Sequence, residues 1–477
     1  MKAQRPQFSD AWKGLSRKFL PFADAASEDL PLSQLLRLSL FQVSVGMILT
    51  LLAGTLNRVM IVELFVPTWL VALMISLPLV FAPLRALIGH KSDAHVSVFG
   101  WRRGPYIWFG SLFMFGGLAI MPFALILLSG AGEAPLWIGQ AGAALAFLLV
   151  GAGMHTTQTA GLALATDLAP VEVRPRVVAL LYVMLLVGMG VSALVYGALL
   201  ADFTHTKLVR VIQGSAVIVI ALNVIALWKQ EARNQAVVEG TAQTDNFWTS
   251  WRTLMSDVRS KRLLMAVGVG AMAFSMQDIL LEPYGAELLG MTVSETTRLT
   301  ALFAFGTILG FALAAKGIAS GLETHRLGAI GVLIGVAAFT LVIFAQPLGV
   351  PIIFQTGTFL IGLGGGLFSV CMLVSAMELA ETSDSGIALG AWGAVQASAA
   401  GLALAIGGAI KDGVEAFVNT GWFGTSLDAT AVGYSVVYHL EILLLFVTLA
   451  VLGPIAAHAR QTEVDKDNKF GLAAFPD

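Results

Sequence analysis

Apolar runs of about 20 residues recur along this chain, and each is long enough to cross a hydrocarbon core of about 30 Å as a helix. A hydrophobic share of 57% against only 12% charged residues is typical of a chain dissolved in lipid. The sequence therefore predicts an all-α membrane protein with twelve transmembrane helices. We place the spans near residues 38–63, 67–89, 105–130, 136–166, 177–200, 207–228, 263–287, 297–319, 326–346, 351–379, 386–410 and 431–457.

A polar stretch in the middle of the chain separates the twelve spans into two sets of six. We expect an N-terminal segment (1–37), a first bundle (38–228), a central linker (229–262), a second bundle (263–457) and a tail (458–477). Asp167 and Glu378 each follow an apolar span and precede another, 211 residues apart, which is close to half the chain. This weak repeat predicts two halves related by an axis along the membrane normal.

Basic residues favour one side of the predicted membrane. With the N-terminus inside, 23 of the 28 Lys and Arg residues fall in cytoplasmic segments and four fall outside. This bias and the even number of spans predict that both termini of this multi-pass protein are cytoplasmic. The net charge of −2 argues against a nucleic-acid partner.

Motifs of soluble enzymes are missing from the sequence. There is no Walker A loop, GxSxG elbow or HExxH helix, and the glycine-rich run from Gly362 lies inside a span, where small residues serve helix packing. The lone Cys371 excludes an internal disulfide. We therefore expect no catalytic residues and no obligatory cofactor.

Polar and ionisable residues inside the spans are the candidate site, because each charge costs at least about 2.5 kcal/mol near the bilayer centre unless it is paired or wetted. They occur at matching places in the first helix of each half. The cargo-binding candidates there are Asn57, Arg58, Gln277, Asp278 and Glu282. They form either a cargo-facing cluster or a buried ion pair that fixes the contact between the halves.

The fourth predicted span adds His155 and Gln158 to the candidates for cargo binding. His155 lies about 18 Å from the end of that span at Asp167, at 1.5 Å per residue. A neutral imidazole there is either an axial ligand to the magnesium of a chlorophyll or a hydrogen-bond partner of a neighbouring helix.

The loop after the second span resembles the signature loop of the major facilitator superfamily. It reads GHKSD and then GWRR, although its acid and second glycine, Asp93 and Gly100, are farther apart than usual. The resemblance implies a cytoplasmic gate formed by this loop and its equivalents near the fourth and tenth spans: Gly89, Asp93, Gly100, Arg102, Arg103, Asp167, Arg174, Arg176 and Glu378. It also implies that the first helices of the two halves face each other, so that Arg58 meets Asp278 or Glu282.

Three longer strings point to one branch of this superfamily. GTLNRVMIVEL, IGHKSDAHVSVFGWRRGPYIW and DILLEPYGAELLG resemble the family of light-harvesting complex assembly proteins that includes PucC and LhaA. The resemblance covers about residues 30–460 and implies a protein of the photosynthetic inner membrane of purple bacteria. Its implied partners are antenna α and β polypeptides, the reaction-center core assembly, pigment-synthesis or insertion machinery, and bacteriochlorophyll as cargo.

Two functions remain open at this point. The first is an antenna assembly factor that delivers or holds bacteriochlorophyll or antenna polypeptides, with the core antenna (LH1, the LhaA side of the family) favoured. The second is a secondary transporter that moves a small amphiphile against protons, with Asp278 or Glu282 as the titrating group.

Overall fold

A computed structural model of the chain describes residues 30–81, 101, 103–128, 135–170, 173–230, 252, 255–382, 385–422 and 427–467. Every regular element in these ranges is a helix. The first half contains α1 (Leu32–Glu63), α2 (Thr68–Ser76, continued by a 3-10 turn at Leu77–Phe81), α3 (Gly104–Leu128), α4 (Leu136–Leu168), α5 (Arg174–Leu199) and α6 (His205–Leu227). The second half contains α7 (Val258–Glu287), α8 (Val293–Ala319), α9 (Thr324–Leu348), α10 (Pro351–Thr382), α11 (Ser385–Asn419) and α12 (Ala429–Asp467).

The predicted all-helical membrane fold is confirmed. Among the described residues, eleven helices are long and apolar enough to span a bilayer, and a shorter apolar helix covers Thr68–Leu79. That short helix corresponds to the second predicted span, and the rest of that span, residues 82–89, lies outside the described residues.

Local sequence signals mark the start of two of these helices. The Asp257 carboxylate accepts hydrogen bonds from the backbone N–H groups of Arg259 and Ser260 and so caps the start of α7. These hydrogen bonds, above all those from Ser260, lower the pKa of Asp257, which lies outside the span. Thr292 and Glu295 form a reciprocal capping box at the start of α8.

The helices pair in a pattern that repeats between the halves. In the first half α3 packs on α4 and α1 packs on α5, and in the second half α9 packs on α10 and α7 packs on α11. The halves meet where α5 packs on α8 and α2 packs on α11. α5 corresponds to α11 in the other half, and α8 corresponds to α2, so each of these two contacts is the counterpart of the other. The packing therefore has the two-fold relation expected of duplicated halves.

We call the end of the bundle at which α1 begins, at Leu32, the near end, and the end at which α1 finishes, at Glu63, the far end. The two halves approach closely in the far part of the bundle. A Cβ on Gly408 of α11 would lie 2.5 Å from the Cβ of Ala72 in α2, so only glycine fits there. Which end faces the cytoplasm stays a prediction from the basic residues.

Candidate functional site

A break in α7 produces the first feature of the site. The helix passes through a 3-10 turn at Met276–Ile279 before it resumes at Leu281–Glu287. Pro283 explains part of this break, because it has no N–H group to donate to the carbonyl of Ile279 four residues earlier. The carbonyl oxygen of Ile279 therefore needs another donor.

Asn57, in the other half of the protein, supplies that donor. Its Nδ2 lies 2.9 Å from the Ile279 oxygen, and the Asn57 side chain is completely buried. A buried backbone carbonyl left without a partner costs about 1–3 kcal/mol. The hydrogen bond therefore connects the first helices of the two halves. It does so where Pro283 leaves α7 without an N–H group to donate to the Ile279 carbonyl.

The far part of α1 has π-helical geometry, at Thr50–Leu56 and again at Val59–Glu63. In this geometry the backbone N–H of Leu64 donates to the oxygen of Val59, five residues earlier, at 3.0 Å. Arg58 and Glu63 are also five residues apart, and Arg58 Nη1 lies 2.6 Å from Glu63 Oε1. We had expected Arg58 to pair with Asp278 or Glu282. The buried guanidinium instead forms its ion pair with Glu63, within α1.

Asp278 and Glu282 of α7 instead have neutral hydrogen-bond donors. The hydroxyl of Thr300 in α8 donates to Glu282 Oε1 at 2.6 Å, and the Gln277 side-chain amide donates to Asp278. The backbone N–H of Gln277 donates to Oε1 of Glu441 in α12 at 2.6 Å. In the described part of the chain, the other carboxylate oxygens of Glu282 and Glu441 are buried without a hydrogen-bond partner. A ligand with donor groups would satisfy them.

Gly54 brings α1 close to this group of acids. A Cβ at that position would lie 2.7 Å from Glu282 Oε1, so any larger residue would displace the carboxylate. We refer to the residues that meet at this contact between the halves as the central polar cluster: Asn57, Arg58, Gln277, Asp278, Glu282, Thr300 and Glu441.

The two candidates on α4 lie elsewhere. Gln158 is buried and its Nε2 lies 3.4 Å from Oε1 of Gln42, fifteen residues before Asn57 on α1. At 1.5 Å per residue, that contact is about 22 Å from Asn57, toward the near end. His155 is also buried and lies one turn from Gln158. The structure therefore separates the predicted cargo residues into two places, the central polar cluster and the contact between α1 and α4.

Part of the predicted gate lies among the described residues. Arg103 Nε lies 3.1 Å from Asp167 Oδ2, which joins the start of α3 to the end of α4 at the near end. Arg174 Nε donates to the backbone oxygen of Ala169 at 3.2 Å. Arg176 lies in the first turn of α5 and is exposed. Gly89, Asp93, Gly100, Arg102 and the side chain of Glu378 lie outside the described residues.

A second charged group lies at the far end. Sequence reasoning missed it, because Lys411 was counted only as one of the four basic residues outside the membrane. The buried Lys411 Nζ lies 2.7 Å from Glu415, 3.4 Å from Asp412 and 3.9 Å from Glu287. The Tyr434 hydroxyl donates to Glu287 at 2.8 Å. The i, i+4 spacing of Lys411 and Glu415 on one helix is the sequence signal from which this ion pair could have been predicted.

Asp412 extends this far-end group to the other half of the protein. Its Oδ2 accepts a hydrogen bond from the backbone N–H of Trp69, in the first turn of α2, at 2.7 Å. The far-end group therefore joins the two halves as well as α7, α11 and α12.

No cluster of three or more His, Cys, Asp or Glu side chains that could hold a metal ion occurs within the described ranges. The proposed contact of His155 with the magnesium of a bacteriochlorophyll needs only one axial ligand, so this finding leaves that prediction untested.

Two six-helix halves that meet at a buried polar cluster define this chain as a multi-pass membrane protein of the major facilitator type. A bacterial homolog of the human lysosomal transporter Spinster, in an inward-facing conformation, superimposes with a TM-score of 0.65 over 91% of this chain and 96% of that one, at 15% identity. The nucleoside transporter NupG gives a TM-score of 0.62 over 88% and 98% of the two chains, at 13% identity. At such low identities the likeness concerns the fold alone.

The chain belongs to the PUCC protein family, whose model matches residues 55–460. Protein PucC of Rhodobacter capsulatus is 52% identical over 455 residues, which is 93% of this chain and 97% of that protein. Another protein of Rhodobacter capsulatus, an uncharacterized one from the puhA–bchM intergenic region, is 54% identical over 468 residues, 97% of this chain and 98% of its own length. The sequence resemblance to this family is confirmed, and with it the location in a bacterial inner membrane.

Proposed function

We propose that the protein is an assembly factor for bacterial light-harvesting antenna complexes, which holds or delivers bacteriochlorophyll or antenna α and β polypeptides within the membrane. The observation that carries the proposal is the match to the PUCC family over most of the chain, together with identities of 50–55% to PucC proteins. Family membership supports involvement in light-harvesting complex assembly, as the three sequence strings implied.

The central polar cluster supports a site for an amphiphilic cargo. Polar groups at this depth in a membrane are expensive, and they are retained where they meet each other or a ligand. The buried oxygens of Glu282 and Glu441 accept no hydrogen bond from the described residues and would accept one from cargo. An amphiphile whose tail stays in lipid reaches this level by moving laterally between helices, so transport across the whole membrane is not required.

We further propose the core antenna as the complex that the protein serves. This choice follows the sequence resemblance to the LhaA side of the family. The identities of 54% and 52% to the two proteins of Rhodobacter capsulatus differ by only two percentage points, so antenna polypeptides recovered with the protein decide between core and peripheral complexes.

Gentle detergent purification of a tagged protein from phototrophically grown cells tests the proposal. We expect near-infrared bacteriochlorophyll absorption in the preparation, together with core α and β polypeptides. Peripheral polypeptides alone would move the assignment to the peripheral antenna. A colourless protein without antenna polypeptides, from cells that assemble antenna normally, would refute the assembly function.

A pair of variants connects that function to the central polar cluster. Glu282→Gln keeps the side-chain shape but changes the hydrogen bond with Thr300, and we expect it to lower the antenna content of the cells by at least about half. Glu323→Gln is the matched control, because Glu323 pairs with Arg326 at 2.8 Å at the near end, away from the cluster. Equal antenna content in the two strains would remove the central polar cluster from the proposal.

A proton-coupled transporter of a small amphiphile is the second candidate. The observation that favours it is the group of three acids, Asp278, Glu282 and Glu441, which accept hydrogen bonds from the neutral groups of Gln277 and Thr300. Carboxyl groups inside a membrane often mark proton pathways. Uptake of an amphiphile into liposomes that follows a pH gradient, and is abolished by Asp278→Asn, would favour this function over assembly.

A further inference from the structure

A small cavity lies within the second half, between α7, α10 and α11, apart from the central polar cluster. Its volume is about 80 Å³. Aromatic rings and a thioether form much of the wall, from Phe274, Phe368, Trp392 and Met372, and Gln396 and Ser369 add polar groups. Gly270 lets the ring of Phe368 approach the α7 backbone, because a Cβ there would lie 2.2 Å from that ring.

The cavity wall contains a hydrogen-bond donor that the described residues leave unused. The Trp392 Nε1–H is buried, and no residue in the described ranges accepts a hydrogen bond from it. A buried tryptophan N–H usually has a partner, since leaving it without one costs free energy. The side-chain amide of Gln396, one turn further along α11, is a second polar group on the same wall.

The volume limits what enters. An apolar protein cavity of about 150 Å³ is known to bind benzene, and this cavity is about half that size. It therefore cannot enclose a whole pigment or a peptide side chain as large as tryptophan. It fits one small end of a larger molecule whose remainder lies outside the cavity.

We propose that this cavity is a subsite for a small carbonyl-bearing end, of the size of an acetyl group, of a membrane-dissolved amphiphile. The Trp392 indole N–H and the Gln396 amide donate to the carbonyl oxygen, while Phe274, Phe368 and Met372 contact the attached hydrocarbon. The choice of a small carbonyl end on a molecule with an isoprenoid tail rests on the proposed function, because bacteriochlorophyll has such a tail and carries small carbonyl groups on its macrocycle.

Binding of phytyl acetate to the purified full-length protein tests the subsite, with phytane, the hydrocarbon without oxygen, as the probe that accepts no hydrogen bond. Each probe is equilibrated with protein in detergent, the protein is isolated by gel filtration, and retained probe is compared with protein-free micelles. We expect the wild type to retain phytyl acetate about fivefold better than phytane, the effect of one net hydrogen bond. Equal retention of the two probes, or none above the micelle level, would overturn the proposal.

Two variants locate the effect in the cavity. Trp392→Phe keeps an aromatic ring but removes the N–H group, so it should abolish the preference for the ester over the hydrocarbon. Ala400→Val fills space in the cavity and should lower retention of both probes. Trp137→Phe and Ala315→Val are the matched controls at exposed positions, and we expect both to behave as the wild type.

The outcomes separate this inference from the proposed function. If antenna polypeptides and pigment co-purify but Trp392→Phe and Ala400→Val bind both probes as the wild type does, the subsite is refuted and the assembly function stands. If the ester preference depends on Trp392 but no antenna component co-purifies, the subsite stands and the assembly function fails. Should Trp392→Phe not be monodisperse, Gln396→Leu replaces it, and an unchanged ester preference in that variant refutes the proposal.

Discussion

The hydrogen bond from Asn57 to the Ile279 oxygen makes a prediction that can be tested by removing and then replacing one donor. Asn57→Leu keeps the approximate size of the side chain but removes its N–H group. The Ile279 oxygen would then be buried without a partner, which costs about 1–3 kcal/mol. Asn57 Oδ1 is itself buried without a partner in the described part of the chain, so its removal offsets part of the loss. We expect the variant to lose about 1–2 kcal/mol of unfolding free energy.

A second substitution should recover much of that loss. Pro283→Ala restores an N–H group four residues after Ile279, the position from which an uninterrupted helix would donate. In the background of Asn57→Leu, this N–H replaces the missing donor from the other half. The double variant should therefore be more stable than the sum of the two single effects by about 1 kcal/mol.

Unfolding of the four proteins in mixed micelles of mild detergent and SDS, followed by circular dichroism, measures this coupling. Residues that share no interaction give effects that add within about 0.3–0.5 kcal/mol. Additive effects of Asn57→Leu and Pro283→Ala would refute the argument that Asn57 compensates for the proline.

The far-end group yields two further predictions. Lys411→Met leaves three carboxylates around a missing cation and should destabilise the protein by about 3–5 kcal/mol in the same unfolding assay. Lys207→Met removes an exposed ion pair with Asp202 and should change the free energy of unfolding by less than about 0.5 kcal/mol. Equal losses of unfolding free energy in the Lys411 and Lys207 variants would contradict the argument from burial. Asp412→Ala removes the cap on Trp69 and should cost about 0.5–2 kcal/mol; an unchanged unfolding curve would show that this contact between the halves contributes nothing.

The helices and their membrane setting could be predicted from the sequence because lipid imposes a length and a polarity on every span. Partners inside the bundle were harder to predict. Arg58 carries the same charge whether its partner is on α7 or on α1, and only the π geometry of α1 brings Glu63 within 2.6 Å. In an ideal α-helix, Arg58 and Glu63 would lie about 140° apart around the axis.

Other parts of the site depended on residues that sequence reasoning had recognised separately. Pro283 was visible in the sequence, yet the need of the Ile279 carbonyl for a donor from Asn57 appears only when the two halves are placed together. Glu441 follows His439 in an apolar span and gave no sign that it would accept a hydrogen bond from Gln277, 164 residues earlier. Pairings between distant helices of this kind have no local pattern.

The π-helical stretch of α1 also has a rotational consequence. Conversion of this stretch to an α-helix would change the angle between successive side chains, so Asn57 and the residues beyond it would turn about the helix axis relative to Gln42 and the near end. Asn57 would then leave Ile279. The same conversion of the second π-helical stretch, Val59–Glu63, would move Glu63 away from Arg58. The winding of a single helix therefore determines which side chains the first half of the protein presents to the second.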